Sequence, residues 1–188
     1  KNTNKNFGKV TFVIVDGTLT IEKRNVTLTS TSVSKEYDGT ALTSKDVTVT
    51  GDGFAAGEGA AYDVTGSQTN VGKSDNEFTY KLDKGTDADN YVIKTEKGTL
   101  EVTPVTSEVV VKIKENSGTE KYDGTEKSVN GYKVTSISNK LYTEKDFEFS
   151  GDASVKGTDA GTYDMNVKAA DFRNISKNFS KVKFEVED

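Results

Sequence analysis

The chain has 188 residues, 32% hydrophobic and 29% charged, with a formal net charge of −5 and a pI near 5.0. That acidic balance argues against a nucleic-acid face and an anionic membrane surface, and no run approaches the roughly 20 apolar residues of a membrane helix. Cysteine and histidine are absent, which excludes disulfides and thiolate metal sites and removes the commonest general base and metal ligand.

An apolar fraction this low, without Trp, suits two β-domains with narrow cores better than one large core. Seventeen Gly, a single Pro and Thr at alternate positions favour strands joined by tight turns. Residues 1–23 read as the closing hairpin of a preceding repeat. In it Val10, Phe12 and Ile14 alternate along one strand, Asp16-Gly17 makes the turn, and residues 18–21 return with Leu19 and Ile21 on one face.

A first complete repeat runs over residues 24–103. Strands are predicted at 26–33, 47–50, 62–65, 77–82, 91–95 and 99–103, with loops at 54–60, 69–76 and 83–90. Residues 35–40 (KEYDGT) form a turn in which Asp38-Gly39 supplies the backbone and Tyr37 an amphipathic ring. Pro104 marks the boundary. The second repeat, 104–188, follows the same order. It has a strand at 105–114, the turn EKYDGT at 120–125 with Tyr122, Asp123 and Gly124, and alternating segments at 132–138, 146–150 and 163–167. TDAG at 158–161 answers TNVG at 69–72. Only residues 169–176 could hold a helical turn, and no segment keeps a 3.6-residue apolar period over three turns.

The two ends of the chain echo one another. NFSKVKFEVED at 178–188 matches 6–16 at Asn, Phe, Lys, Val, Phe and Asp, and the Gly-Thr-Leu of 17–19 recurs at 98–100. The chain therefore reads as a window on a longer array, in which the second repeat has no counterpart of the strand at 18–21. That predicts an open strand edge in the second repeat, to which residues 17–21 of a neighbouring molecule would pair head to tail. The joints at 22–25 and at Pro104 are short and not Gly/Ser-rich, so they predict stiffness.

The ordered set (K/E)YDGT, T(N/D)xG, N(Y/F) and a GTLTI or GTLEV ending resembles the MBG/YDG-type tandem repeats of Gram-positive cell-surface, adhesin-like proteins. The likeness spans nearly the whole chain. Asp188 is not followed by the Gly-Thr-Leu ending, and Phe stands for Tyr after Asn6 and Asn178. The resemblance implies an extracellular, cell-wall-attached, all-β stalk or adhesion module with no catalytic residues to carry over.

Candidate chemistry is sparse. Asp38 and Asp123 beside Tyr37 and Tyr122 could form a sugar site, but recurrence at the same place in both repeats fits a structural turn better. The loop 83–90 is rich in oxygen ligands, yet counted from Asp83 the sixth residue is Ala88 and the twelfth Lys94, so it does not meet the EF-hand pattern. No phosphate-cradling glycine loop and no nucleophile elbow are present. Lys, Asn and Glu are plentiful enough for an isopeptide bond, but no motif singles out a pair. Phe54, Tyr142 and Phe172 are candidates for an exposed contact surface.

The expected architecture is all-β: two tandem small sandwich (Ig-like) domains in an elongated rod, with a β-grasp-like fold as the alternative. The expected role is non-enzymatic and cofactor-free, a stiff spacer projecting an adhesive region. The alternative is a module that itself binds host glycoprotein or mucin glycan.

Overall fold

The computed structural model describes residues 1–187, and among these it is built of strands with three single-turn 3-10 helices. The strands fall into two sets, and no sheet takes strands from both. The first set is β1 (Arg24–Ser30), β2 (Val33–Glu36), β3 (Val47–Gly51), β4 (Ala60–Val64), β5 (Gly72–Asp75), β6 (Phe78–Leu82), β7 (Tyr91–Glu96) and β8 (Thr99–Thr103). The second is β9 (Val109–Glu115), β10 (Lys127–Asn130), β11 (Tyr132–Ile137), β12 (Phe147–Phe149), β13 (Ser154–Gly157), β14 (Phe172–Asn174) and β15 (Val182–Glu187).

Each set is organised on one strand of β-branched residues. In β1, Val26, Leu28 and Ser30 are buried, and the period-2 alternation turns Thr27 and Thr29 the other way. β1 pairs antiparallel with β3 and parallel with β7. β9 repeats this arrangement, burying Val111, Ile113 and Glu115 and pairing antiparallel with β11 and parallel with β15. The register is shared: Leu28 faces Val49 as Ile113 faces Val134, an offset of 85 on both strands (113 − 28 and 134 − 49).

In the first set, Tyr91, Phe54, Tyr62 and Phe78 pack with Val26 and Leu28. A second three-stranded sheet has β8 at its centre, parallel to β2 and antiparallel to β5. Its Leu100 and Val102 are 0% and 1% exposed. In the second, an aromatic cluster takes over. Phe172 lies 4.8 Å from Phe149, 5.1 Å from Tyr132 and 5.5 Å from Phe184 between ring centroids, and Phe147 and Tyr142 complete the layer. Edge-to-face and tilted rings at these separations are favourable beyond the area they bury.

The all-β expectation holds, and several details differ. Residues 9–23 form no strand, so the hairpin expected over 10–21 is absent, because no neighbouring strand accepts its backbone groups. Residues 163–167 are not a strand either. The Tyr163 hydroxyl donates to the Asp159 carbonyl (3.1 Å), and Asn166 sits at φ 62°, which takes the backbone out of the extended region. Strands β5, β10, β13 and β14 form where loops or no element were expected. The expected helical turn at 169–176 is one 3-10 turn (Ala169–Asp171) followed by β14. A helix able to lie across a sheet, as a β-grasp arrangement needs, does not occur among the described residues.

Candidate functional site

The two YDGT turns are built alike. In the first, the Asp38 carboxylate accepts from the Thr40 amide (2.9 Å) and hydroxyl (2.7 Å) and from Lys35 Nζ (2.7 Å), while Gly39 takes the left-handed region at φ 78°. In the second, Asp123 accepts from the Thr125 amide (3.0 Å) and hydroxyl (2.7 Å) and from Lys127 Nζ (2.7 Å), with Gly124 at φ 79°. Asp closes its own turn two residues on, and Gly tolerates the positive φ that follows. The Lys35 ammonium, helped by Thr40, holds the Asp38 carboxyl well below the usual carboxylate range, and Lys127 and Thr125 lower Asp123 in the same way. Both carboxylates thus close their own turns and pair with a neighbouring Lys.

Their tyrosines part company. Tyr37 packs on the second set's core, with its ring edge-on to Phe179 at 5.7 Å. Around it the two sets touch directly. Asn178 Oδ1 accepts from the Val71 amide (2.9 Å), Asn178 Nδ2 donates to Asn70 Oδ1 (3.2 Å), and the Thr106 amide donates to Glu36 (3.3 Å). A Cβ on Gly39 would lie 3.1 Å from the Leu141 side chain. The first YDGT turn is thus part of the joint between the sets. Tyr122, its counterpart, is 69% exposed.

Beside Tyr122 lies a cavity of about 500 Å³. Its lining includes Gly118, Tyr122, Val129, Val155, Gly157 and Tyr163.

Other candidates resolve into structure. Tyr142 and Phe172 are buried core residues and Phe54 packs on Tyr91 at 5.2 Å, so the expected exposed aromatic surface is not formed by them. Their apolar area is worth more inside than on the surface. Burial, with Asp146 nearby, pushes the Tyr142 hydroxyl up to about 12, and it lies 3.1 Å from both the Asp146 carbonyl and Asn174 Oδ1. The acidic loop is tied to its own backbone: the Asp83 amide donates to Gly59 O (3.0 Å) and Asp87 accepts from the Asp89 amide (3.0 Å). Among the described residues no three Asp or Glu side chains converge as a cation would require. Tyr91, buried behind that loop, donates to Glu58, and this bond raises its pKa. Sequence reasoning expected an open strand edge in the second repeat but singled out none of Val129, Val155 and Tyr163 that line this cavity.

No curated protein and no solved structure matches the chain. The family model of the MBG domain, a repeat domain of surface proteins and not a known enzyme family, matches residues 109–188. The unit organised on β9, with its parallel β15 and its YDGT turn, therefore belongs to the MBG domain family.

Proposed function

We propose that the chain is a non-enzymatic repeat module of a bacterial, Gram-positive cell-surface protein, acting outside the cell as a stiff spacer that projects an adhesive region. The observation that carries this reading is the joint. Only Pro104 and Val105 separate the end of β8 from Thr106, whose amide bonds back to Glu36. Tyr37, Asn70 and Val71 meet Phe179 and Asn178 on the other side. A linker of Gly and Ser would leave two units free to swing, whereas polar contacts around a buried ring restrict them. On this reading residues 24–103 and 104–188 are successive repeats of one design. The paired layers of the first unit, joined by Ser30 Oγ donating to Asn76 O and accepting from Gly98 N, are a small sandwich.

A second reading, in which the repeats themselves bind mucin or host glycoprotein glycan, draws on the cavity beside Tyr122. It is lined by two tyrosines, Tyr122 and Tyr163. Small-angle scattering combined with a glycan array separates the two. The spacer reading expects one extended, narrow distribution of lengths and no glycan retained. A broad distribution of inter-unit distances would overturn it, and saturable glycan binding lost in Tyr122→Ala would favour the second.

A further inference from the structure

In the first unit the opening and closing segments of the chain lie side by side. Residues 24–36 carry β1 and β2, and residues 91–103 carry β7 and β8. β1 pairs parallel with β7 from Arg24 opposite Tyr91 to Thr29 opposite Glu96. β2 pairs parallel with β8 from Val33 opposite Leu100 to Glu36 opposite Thr103. The offset is 67 in both ladders (91 − 24 and 100 − 33), so the two segments keep one register while passing from one sheet to the other.

The passage between the sheets is tied as well. There the Gly98 amide donates to Ser30 Oγ (2.9 Å) and the Thr99 amide to Ser32 Oγ (2.9 Å). Gly98 lets the segments meet this closely, because a Cβ there would lie 2.3 Å from the Ser30 carbonyl oxygen. At the far end the Tyr37 amide donates to the Thr103 carbonyl (2.9 Å) and the Thr103 hydroxyl to the Lys35 carbonyl (3.2 Å). Serine hydroxyls thus take over from the ladder where the sheets change, and the seam continues through the crossover.

Chain order sets how this seam is loaded. The chain enters the unit at Arg24, the start of one segment, and leaves it at Thr103, the end of the other. Because the segments are parallel, those two points lie at opposite ends of the seam. Tension along the chain therefore slides one segment past the other, and the ladder bonds, which run across the line of pull, must give way together. The β4–β6 pair is the opposite case. Ala60 faces Leu82 in an antiparallel ladder, so a pull between those adjacent strand ends opens one pair at a time.

We propose that the seam of residues 24–36 against 91–103 is a mechanical clamp, through which the first unit resists unfolding under tension along the chain. The proposal deepens the spacer reading and rests on it for its purpose, since a spacer is loaded whenever the region it projects is held.

Single-molecule force spectroscopy on the full chain tests this, with handles on introduced cysteines, because the chain has none of its own. Lys23→Cys/Pro104→Cys loads the seam along its length. Ala61→Cys/Lys81→Cys, at exposed positions that face one another, peels the β4–β6 hairpin. At one loading rate the seam axis is expected to need at least about twofold more force than the hairpin axis, because its bonds share the load. Ser32→Ala removes one crossover link at an exposed residue. It is expected to lower the force on the seam axis and to leave the hairpin axis and the denaturant midpoint near the parent's. Equal or lower force on the seam axis, or a Ser32→Ala effect of the same size on both axes, would overturn the proposal. Scattering judges the joint and these pulls judge the unit. A flexible joint with a strong seam would sink the spacer reading alone, and a stiff joint with a weak seam the clamp alone.

Discussion

The two units share a central sheet and differ in what covers it. In the first, Val26 and Leu28 are covered by a small aromatic complement, Tyr91 with Phe54, Tyr62 and Phe78 around it. In the second, the core is held by a larger aromatic layer of Tyr132, Tyr142, Phe147, Phe149, Phe172, Phe179 and Phe184. One buried polar position records the same divergence. Ser30, which bonds across to β8 in the first unit, is Glu115 in the second, where its carboxylate accepts from the Val167 amide at 2.5 Å. The comparison teaches that one central-sheet design is covered by few rings in one unit and by an extended aromatic layer in the other.

The largest effect should come from the strand itself. Leu100→Ala in the first unit is expected to cost about 2–5 kcal/mol, the range for a buried leucine that leaves a cavity. Leu19→Ala in the unassociated chain should change stability by no more than about 0.5 kcal/mol, as an exposed site does. Denaturant unfolding of each variant at low concentration measures both. Equal effects would mean that 17–21 is already packed within its own molecule.

Next come the paired tyrosines. Tyr37→Ala removes a ring packed between the units and should cost about 1–3 kcal/mol, with loosened inter-unit distances in scattering. Tyr122→Ala should be neutral within about 0.5 kcal/mol. If the two cost the same, the YDGT tyrosine acts within its own unit and the joint has been misassigned.

The smallest effect is electrostatic. Asp38 and Asp123 have carboxyl groups lowered by the fold relative to the unfolded chain, so their contributions are present above the ordinary carboxylate range and fade as pH falls through the lowered folded values. Thermal melts should therefore show stability dropping on acidification below about pH 4, with Asp38→Asn and Asp123→Asn each flattening that slope. Both groups lie at the surface and both Lys partners are partly solvated, so the change should be modest and salt-sensitive. A slope unchanged in the double variant would show that other carboxylates govern the acid limb.

Much of this was readable from residues alone because it depends on local chemistry. Alternating Val, Thr and Leu placed β1, β7 and β8, and Asp-Gly with Thr two residues on placed both turns to the residue. The recurrence of GTL at 17–19 and 98–100 marked β8 in the first unit. Short strands such as β5 (Gly72–Asp75), β10 and β13 were not readable, since Gly, Lys, Ser and Asp carry no apolar alternation and become strand only by lying next to one. The same limit works in reverse at residues 10–21, whose pattern is that of a hairpin, yet the segment is unpaired.

By itself, then, the sequence determined the all-β class, the turn geometry and the periodic design, because side-chain alternation and Asp-Gly backbone preferences act over a few residues. Only the tertiary structure decided which aromatics are core, that Tyr37 docks across the joint while Tyr122 stands exposed, and where the cavity beside Tyr122 forms. Each of those depends on segments tens of residues apart meeting or failing to meet, and no local pattern encodes which edge finds a partner.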